Sequence, residues 1–531
     1  MDDDALTKGC MAQTATDIFV GIDAGTTGGK VALFDARGNE LGGGYCEYPC
    51  IYPHPGWVEQ DVEEVWRGIC RASRAARMAA NVADEAIRSI GFSSQRGSFI
   101  LLDEREHPLA PAVLWNDSRA KEMERVLMQR IAPERYRHIT GMPVSGSWAI
   151  SKLAWLLHNR VELMERARHI CNGQEYFLRR LGADVLESDP SALTLNGMLD
   201  IRKLDWSEEV CQAAGIDMTR LPRVGRPGTM VGRLCRAAAE ETELPAGIAL
   251  CRGGGDQQCA AVGAGVIRQG LAEVTIGTAA MMVAHLEDPA LVMGAAPYIG
   301  GHAVPGKWDA EGGAFSIGSC LKWWRDNFGQ IECIRAEQEG TSVYDILIAS
   351  AREAPAGSRG IIFQPFFAGQ LTPYYDTTAR GAFLGLELDH DRACLLRAML
   401  EGCACEVRLM VDGVAGDLEG GISELRVTGG ASRSDQFMQL HADILRRPLV
   451  LLRNRECTVL GASILGAVGC GYFASILEAV QAMVAVDRTV EPDPATADIY
   501  GRLFELFRFC YETAAEGGLY EAIYEFQRKY F

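Results

Sequence analysis

A lone carboxylate, Asp256, stands in the run Gly253-Gly254-Gly255-Asp256-Gln257-Gln258-Cys259. The apolar segment before it, 247–251, reads as a short buried strand. The small residues after it, 259–265, read as the start of a tightly packed helix. The glycines between them read as a turn that lets another group come close, so the carboxylate is displayed into a cleft. The chemistry open to it there is general-base catalysis, taking the proton from a hydroxyl. A plain helix cap reads equally well from this stretch alone, because Asp often accepts backbone N–H bonds at a helix start.

Two other runs bear on that choice. Ile18 to Asp23 reads as a strand, Ala24-Gly25-Thr26-Thr27-Gly28-Gly29 as a turn, and Lys30 to Phe34 as the return strand. Leu271 to Ile276, Gly277-Thr278-Ala279-Ala280 and Met281 to His285 repeat the pattern. A turn of Gly and Thr offers backbone N–H groups and hydroxyls in an arc that suits phosphate oxygens. Asp23, just ahead of the first turn, supplies the oxygen donors that Mg²⁺ takes directly or through water. A single such hairpin is also an ordinary turn. Two of them, each opening one half of the chain, indicate an internal duplication on the scale of a domain. Gly429-Gly430, between a strand at Leu425 to Thr428 and a helix from Ser434, lets a flat ligand such as adenine lie against the backbone. A tight strand-to-helix turn is the alternative there.

The elements that must carry these groups follow from the pattern. Residues 17–48 form a three-stranded antiparallel meander. A helix runs from Asp61, its N-cap, to Ala80. A strand at Ile87 to Ser93 leads into Ser94-Gln95-Arg96-Gly97, further strands lie at Phe99 to Leu102 and Ala112 to Trp115, and 120–183 is mostly helical. Helical patterns dominate after Ser434.

The totals set the class. A chain of 531 residues, 48% hydrophobic and 23% charged, is long enough for two domains with separate cores. Its net charge of −18 argues against a nucleic-acid or anionic-membrane surface. Seventeen cysteines, with no paired CxxC motifs, suit free thiols in a reducing cytoplasm. The polar stretch 1–16 reads as a flexible tail without the features of a signal peptide. Thr458 to Leu477 carries no charge, but its glycines break it into a buried helix, a turn and the start of another helix.

Gly21 to Lys30, Gln95-Arg96, Trp115 to Arg119, Gly254 to Gln258, Thr275 to Thr278, Gly381 to Leu386 and Thr428 to Ala431 occur in this order. Together they resemble the FGGY family of carbohydrate kinases, xylulokinase-like members above all, over residues 17–480. The resemblance implies an α/β protein: two ribonuclease-H-like domains of the actin-like ATPase fold, 17–265 and 266–531, with the active site in the cleft between them. It implies ATP-dependent phosphorylation of a small sugar or polyol, a pentulose such as xylulose first, with Asp256 as general base. Asp23, which would also hold Mg²⁺, and Gly25, Thr26, Thr27, Gly277 and Thr278 become the phosphate segments. Gly429, Gly430 and Ala431 become part of the adenosine site. Gln95, Arg96, Trp148, Asp256 and Gln257 are expected at the sugar. Asp117 and Arg119 read as a structural pair, and Trp57 and Glu59 as either near substrate or part of a helix-capping loop. A homodimer is compatible with the family.

Departures from the pattern leave the acceptor open. Gly97 stands where glycerol kinases carry an acid, and Arg96 with its neighbour where xylulokinases have Met-His. Ala368-Gly369-Gln370-Leu371-Thr372-Pro373 lacks the charged pair of the usual Ser-Gly-Glu-Arg-Thr-Pro. Autoinducer-2, tetritol or glycerol phosphorylation is one alternative. A non-catalytic ATP-binding regulatory module is another.

Overall fold

The computed structural model describes residues 17–294 and 296–531, so the expected tail at 1–16 lies outside the described residues. Two large sheets organise the chain. The first has six strands in the order Met230–Arg233, Ala249–Gly255, Ile87–Ser94, Ile18–Ala24, Gly28–Asp35 and Glu40–Glu47. The second has seven: Tyr298–Gly301, Trp308–Ala314, Ala280–Leu286, Leu271–Ile276, Glu424–Thr428, Leu449–Leu452 and Val486–Val490. In each, an antiparallel meander is followed by two parallel strands and a closing antiparallel one. The duplication read from the hairpins is therefore a duplication of sheet topology, with Tyr298–Gly301 added at one edge.

Period-2 alternation explains how the first sheet is covered. Ile18, Val20 and Ile22 point to one face and pack with Val65, Trp66 and Ile69 of the helix Val62–Ala80. Asp61 caps that helix by accepting from the Glu63 N–H. Phe19 points to the other face and packs against Val459, Ala462 and Leu465. Those residues lie on Cys457–Gly469, a helix about two hundred residues further along the chain than the Ala249–Gly255 strand it also covers. The uncharged stretch 458–477 is thus a buried helix, a turn and the start of Ile476–Met483, capped by Ser475. No helix among the described residues is long and apolar enough to cross a membrane.

The closeness of this packing depends on glycine. A Cβ on Gly91 would sit 1.7 Å from the Ala462 carbonyl oxygen, and one on Gly21 would sit 1.9 Å from that of Val459. Overpacking of this kind forces backbone shifts costing about 1–3 kcal/mol or more. Gly91→Ala is expected to lower the unfolding free energy by at least that amount, read as lower thermal and denaturant midpoints. Gly416→Ala, with nothing within 4 Å of the added carbon, is expected to be neutral or stabilising. Equal melting curves for the two variants would contradict the glycine account.

The strand at 99–102 is shorter than expected, Ile100–Leu102, and a strand inside the helical stretch, His169–Cys171, pairs with it. Short pairing segments of this length have no periodicity of their own to read.

Candidate active site

The parallel register of the first sheet brings three chain segments to one edge. Ala24 lies beside Ser94, and Ser94 beside Gly255. Asp23, Gln95, Arg96 and Asp256 are therefore neighbours although they span most of the first half of the sequence. In the second sheet Thr275 lies beside Thr428, which sets Gly277 next to Gly429.

Gly253, Gly254 and Gly255 are not a turn. They finish the Ala249–Gly255 strand, and Asp256 is the first residue of the helix Asp256–Gly263. The N-cap is Gly255, so the capping alternative for Asp256 falls away. The Asp256 carboxylate accepts from the Gln257 N–H at 2.9 Å and from Arg96 Nε at 3.2 Å, and its side chain keeps 27% of its surface open. Burial raises its pKa above the ordinary carboxylate value, and the Arg96 charge partly offsets this. A base that is open to a substrate and somewhat stronger than free Asp suits proton removal near neutrality.

Asp23 accepts from Ser93 Oγ at 3.0 Å. Burial pushes its pKa up to about 7, with the Asp256 charge adding to the rise. No cluster of three or more His, Cys, Asp or Glu able to hold a metal occurs among the described residues. A single carboxylate whose ionisation is opposed by a second acid is nonetheless a donor set that fits Mg²⁺, which needs few protein ligands and keeps its waters.

Each hairpin is braced from behind, leaving its tip accessible. In the first, Tyr48 Oη donates to the Gly25 carbonyl at 2.8 Å and Gln60 Nε2 to that of Thr26 at 2.9 Å. Thr26 Oγ1 donates to Gln95 Oε1 and accepts from the Trp115 indole, both at 2.9 Å. In the second, the Gly318 N–H donates to the Gly277 carbonyl at 3.0 Å, and Ser319 donates twice to that of Thr278. Thr27 and Thr278 are exposed. Gly429 takes φ 83° and ψ 174°, a conformation reserved for glycine, and Gly430 and Ala431 open the turn Gly430–Arg433. Beneath them Glu273 accepts from the hydroxyls of Thr275 and Thr428, and burial pushes its pKa up to about 7.

The residues expected at the sugar are distributed unevenly. Gln257 stands beside Asp256 with its Oε1 unpaired. Arg96 is buried and spends its two Nη groups on Glu311, at 2.6 and 2.7 Å. Gln95 is buried and braces the first hairpin, its Nε2 donating to Gln60 at 3.1 Å. Trp148 precedes the helix Ala149–Asn159, gives its indole N–H to the Pro143 carbonyl at 2.7 Å, and meets Tyr298 of the second sheet edge-on at 5.5 Å. Arg119 ties Asp117 to Glu59 and lies 3.9 Å over the Trp57 ring, which draws Trp57 and Glu59 into a structural tie.

Glu311, Asp309 and Gln258 were not singled out by the sequence. Glu311 accepts from Gln258 Nε2 at 3.0 Å as well as from Arg96. Asp309, two residues earlier, is fully buried beside Glu311, and burial together with the Glu311 charge drives its pKa far up, partly offset by Arg96, the Gln258 side chain and the Gly300 backbone. The signal available was the alternation of acids in Trp308-Asp309-Ala310-Glu311-Gly312, which puts both carboxylates on one side of a strand.

The model of the FGGY family of carbohydrate kinases, N-terminal domain, matches residues 18–263, and that of the C-terminal domain matches 272–470. A gluconokinase of Bacillus subtilis is 28% identical over 93% of this chain and 95% of its own. A glycerol kinase of Bordetella parapertussis is 30% identical over 90% and 94%. The crystal structure of a ligand-bound xylulose kinase from Lactobacillus acidophilus superposes with a TM-score of 0.84, covering 94% of this chain and 98% of that one, at 24% identity. The two sheets are those of the two-domain, actin-like ATPase fold. With both family models lying over the two sheets, and a relative 30% identical over 90% of the chain, the chain belongs to the FGGY family of carbohydrate kinases and is a sugar phosphotransferase.

Proposed function

We propose that the protein transfers the γ-phosphate of ATP to a hydroxyl of a small neutral sugar or polyol, a pentulose such as xylulose first, with Asp256 as general base. The observation that carries this reading is the setting of Asp256: at the head of a helix, open on one side, anchored on the other by Arg96. In this reading Gly25, Thr26 and Thr27 face the phosphates from one sheet and Gly277 and Thr278 from the other. Gly429, Gly430 and Ala431 take the adenosine, and Gln257 and Trp148 belong to the acceptor side.

Asp256 receives the acceptor hydroxyl's proton as that oxygen attacks the γ-phosphorus in line. Hairpin N–H groups, fixed in advance by the braces behind them, offset charge on the transferring group without reorganising. Asp23 would hold Mg²⁺, which when bound supplies charge neutralisation on the phosphates. Closure of the two halves excludes water that would otherwise hydrolyse ATP.

The neutral class of acceptor rests on charge. Arg96, a cation beside Asp256, already serves two carboxylates, Glu311 and Asp256 itself. An aldonate would bring a third carboxylate to a cation that already serves two, which is costly in a buried setting. The relatives carry the names of gluconate, xylulose and glycerol kinases, so the choice is testable within the family.

The test is ADP release across pentuloses, hexuloses, tetritols, glycerol, autoinducer-2 and gluconate. A pentulose is expected to give the highest kcat/KM and gluconate at most a few per cent of it. No stimulation by any acceptor would remove the kinase reading. Gluconate as the best acceptor would remove the neutral-acceptor reading and leave the kinase.

A further inference from the structure

We propose that Glu311 is a positioning residue for the proton transfer: from the second sheet it holds Asp256, on the first, through Arg96 and Gln258. The inference rests on Asp256 being the base.

Glu311 lies on Trp308–Ala314, and Arg96 follows Ile87–Ser94, so their bidentate pair bridges the two sheets. Side-chain exposure is 3% for Arg96 and 1% for Glu311. A buried ion pair is often no more stabilising than apolar residues of the same volume. Stability is therefore a weak reason for this one, and its connections supply a better one. Arg96 has one edge on Glu311 and offers the other, Nε, to Asp256 at 3.2 Å. Gln258 sits two residues after Asp256 on the same short helix and donates to Glu311 Oε1 at 3.0 Å. One carboxylate thus fixes both the guanidinium beside the base and the helix that begins with it.

The sharing also controls how strongly Arg96 engages Asp256. Two good bonds to Glu311 keep the guanidinium back and leave a single, longer bond to the base. With Glu311 neutral, Asp256 becomes the better partner for Arg96. The guanidinium then closes on it, moving the carboxylate and making it a poorer proton acceptor. Because Glu311 comes from the opposite sheet, the base is held correctly only while the two halves are together.

The test is a cycle of E311Q, D256N and the double variant, using sugar-dependent ADP release by the full-length enzyme with its best acceptor. E311Q is expected to lose about 10²-fold in kcat, the scale of a small misplacement of a reacting group, with the KM for ATP within about twofold of wild type. In the D256N background E311Q is expected to cost nothing further, because there is no base left to position. E311D, which keeps the charge on a shorter arm, is expected to recover part of the loss. Wild-type kcat in E311Q overturns the proposal. So does an equal loss in both backgrounds, the mark of a general structural role. If E311Q does not fold, the cycle is read with E311D, where a loss confined to the Asp256 background supports the proposal and an equal loss overturns it. Absence of acceptor-dependent activity in the wild type is the distinct result that removes the kinase reading first.

Discussion

Asp256→Asn lowers kcat for sugar-dependent ADP release by about 10²–10⁴-fold, the usual worth of a positioned base, and leaves ATP affinity within about twofold. The substitution keeps the shape of the side chain and the Arg96 contact but removes the ability to take a proton. Glu311 still satisfies the two Nη groups of Arg96, so the buried guanidinium keeps its main partner. The pH profile gives a second reading of the same residue. A base works only when ionised, and burial raises Asp256 above the ordinary carboxylate value, with the Arg96 charge partly offsetting this. Wild-type activity is therefore present at higher pH and lost as pH falls through an acid limb displaced upward from the ordinary carboxylate value. In Asp256→Asn the residual rate should lose that limb. Normal turnover in this variant, or an unchanged limb, would sink the assignment.

The hairpins and the setting of Asp256 were legible because their signals are local. Gly and Thr in a turn between apolar runs, and a single Asp at the junction of a strand and a helix, need no knowledge of what lies opposite. The sheet order was legible only in outline, through the repeat of the hairpin, since register and neighbours are set by pairings between distant segments. Arg96 shows where local reading stops. The family resemblance set it at the sugar, yet its partner Glu311 comes from a strand 215 residues further on. In the sequence Asp309 and Glu311 look like solvated charges, whereas burial is what defines both of them here. The same holds for Glu273, an acid in the middle of a strand that proves to be the brace beneath the second hairpin and Thr428. Buried polar residues take their meaning from a partner, and a partner is a tertiary fact.

Gly429→Ala should raise the KM for ATP by about 5–150-fold, which corresponds to about 1–3 kcal/mol of backbone strain at the site. Two independent features forbid a side chain there. The backbone stands at φ 83°, ψ 174°, and an added Cβ would lie 2.6 Å from the carbonyl oxygen of Ile276 and 3.1 Å from its N. Ile276 immediately precedes Gly277-Thr278, so the clash pushes the Gly429 turn and the Gly277-Thr278 hairpin apart. Neither can move alone, because Thr275 and Thr428 share Glu273 below them. Affinity for the acceptor, measured by calorimetry without nucleotide, should be unaffected, since Asp256 and Gln257 lie on the helix that follows a strand of the other sheet. Gly430→Ala separates strain from ligand contact. Nothing lies within 4 Å of a Cβ at that position, so the melting temperature should stay at the wild-type value. A weakened ATP response there without loss of stability locates the adenosine against Gly430, while a wild-type KM for ATP in both variants removes this turn from the nucleotide site.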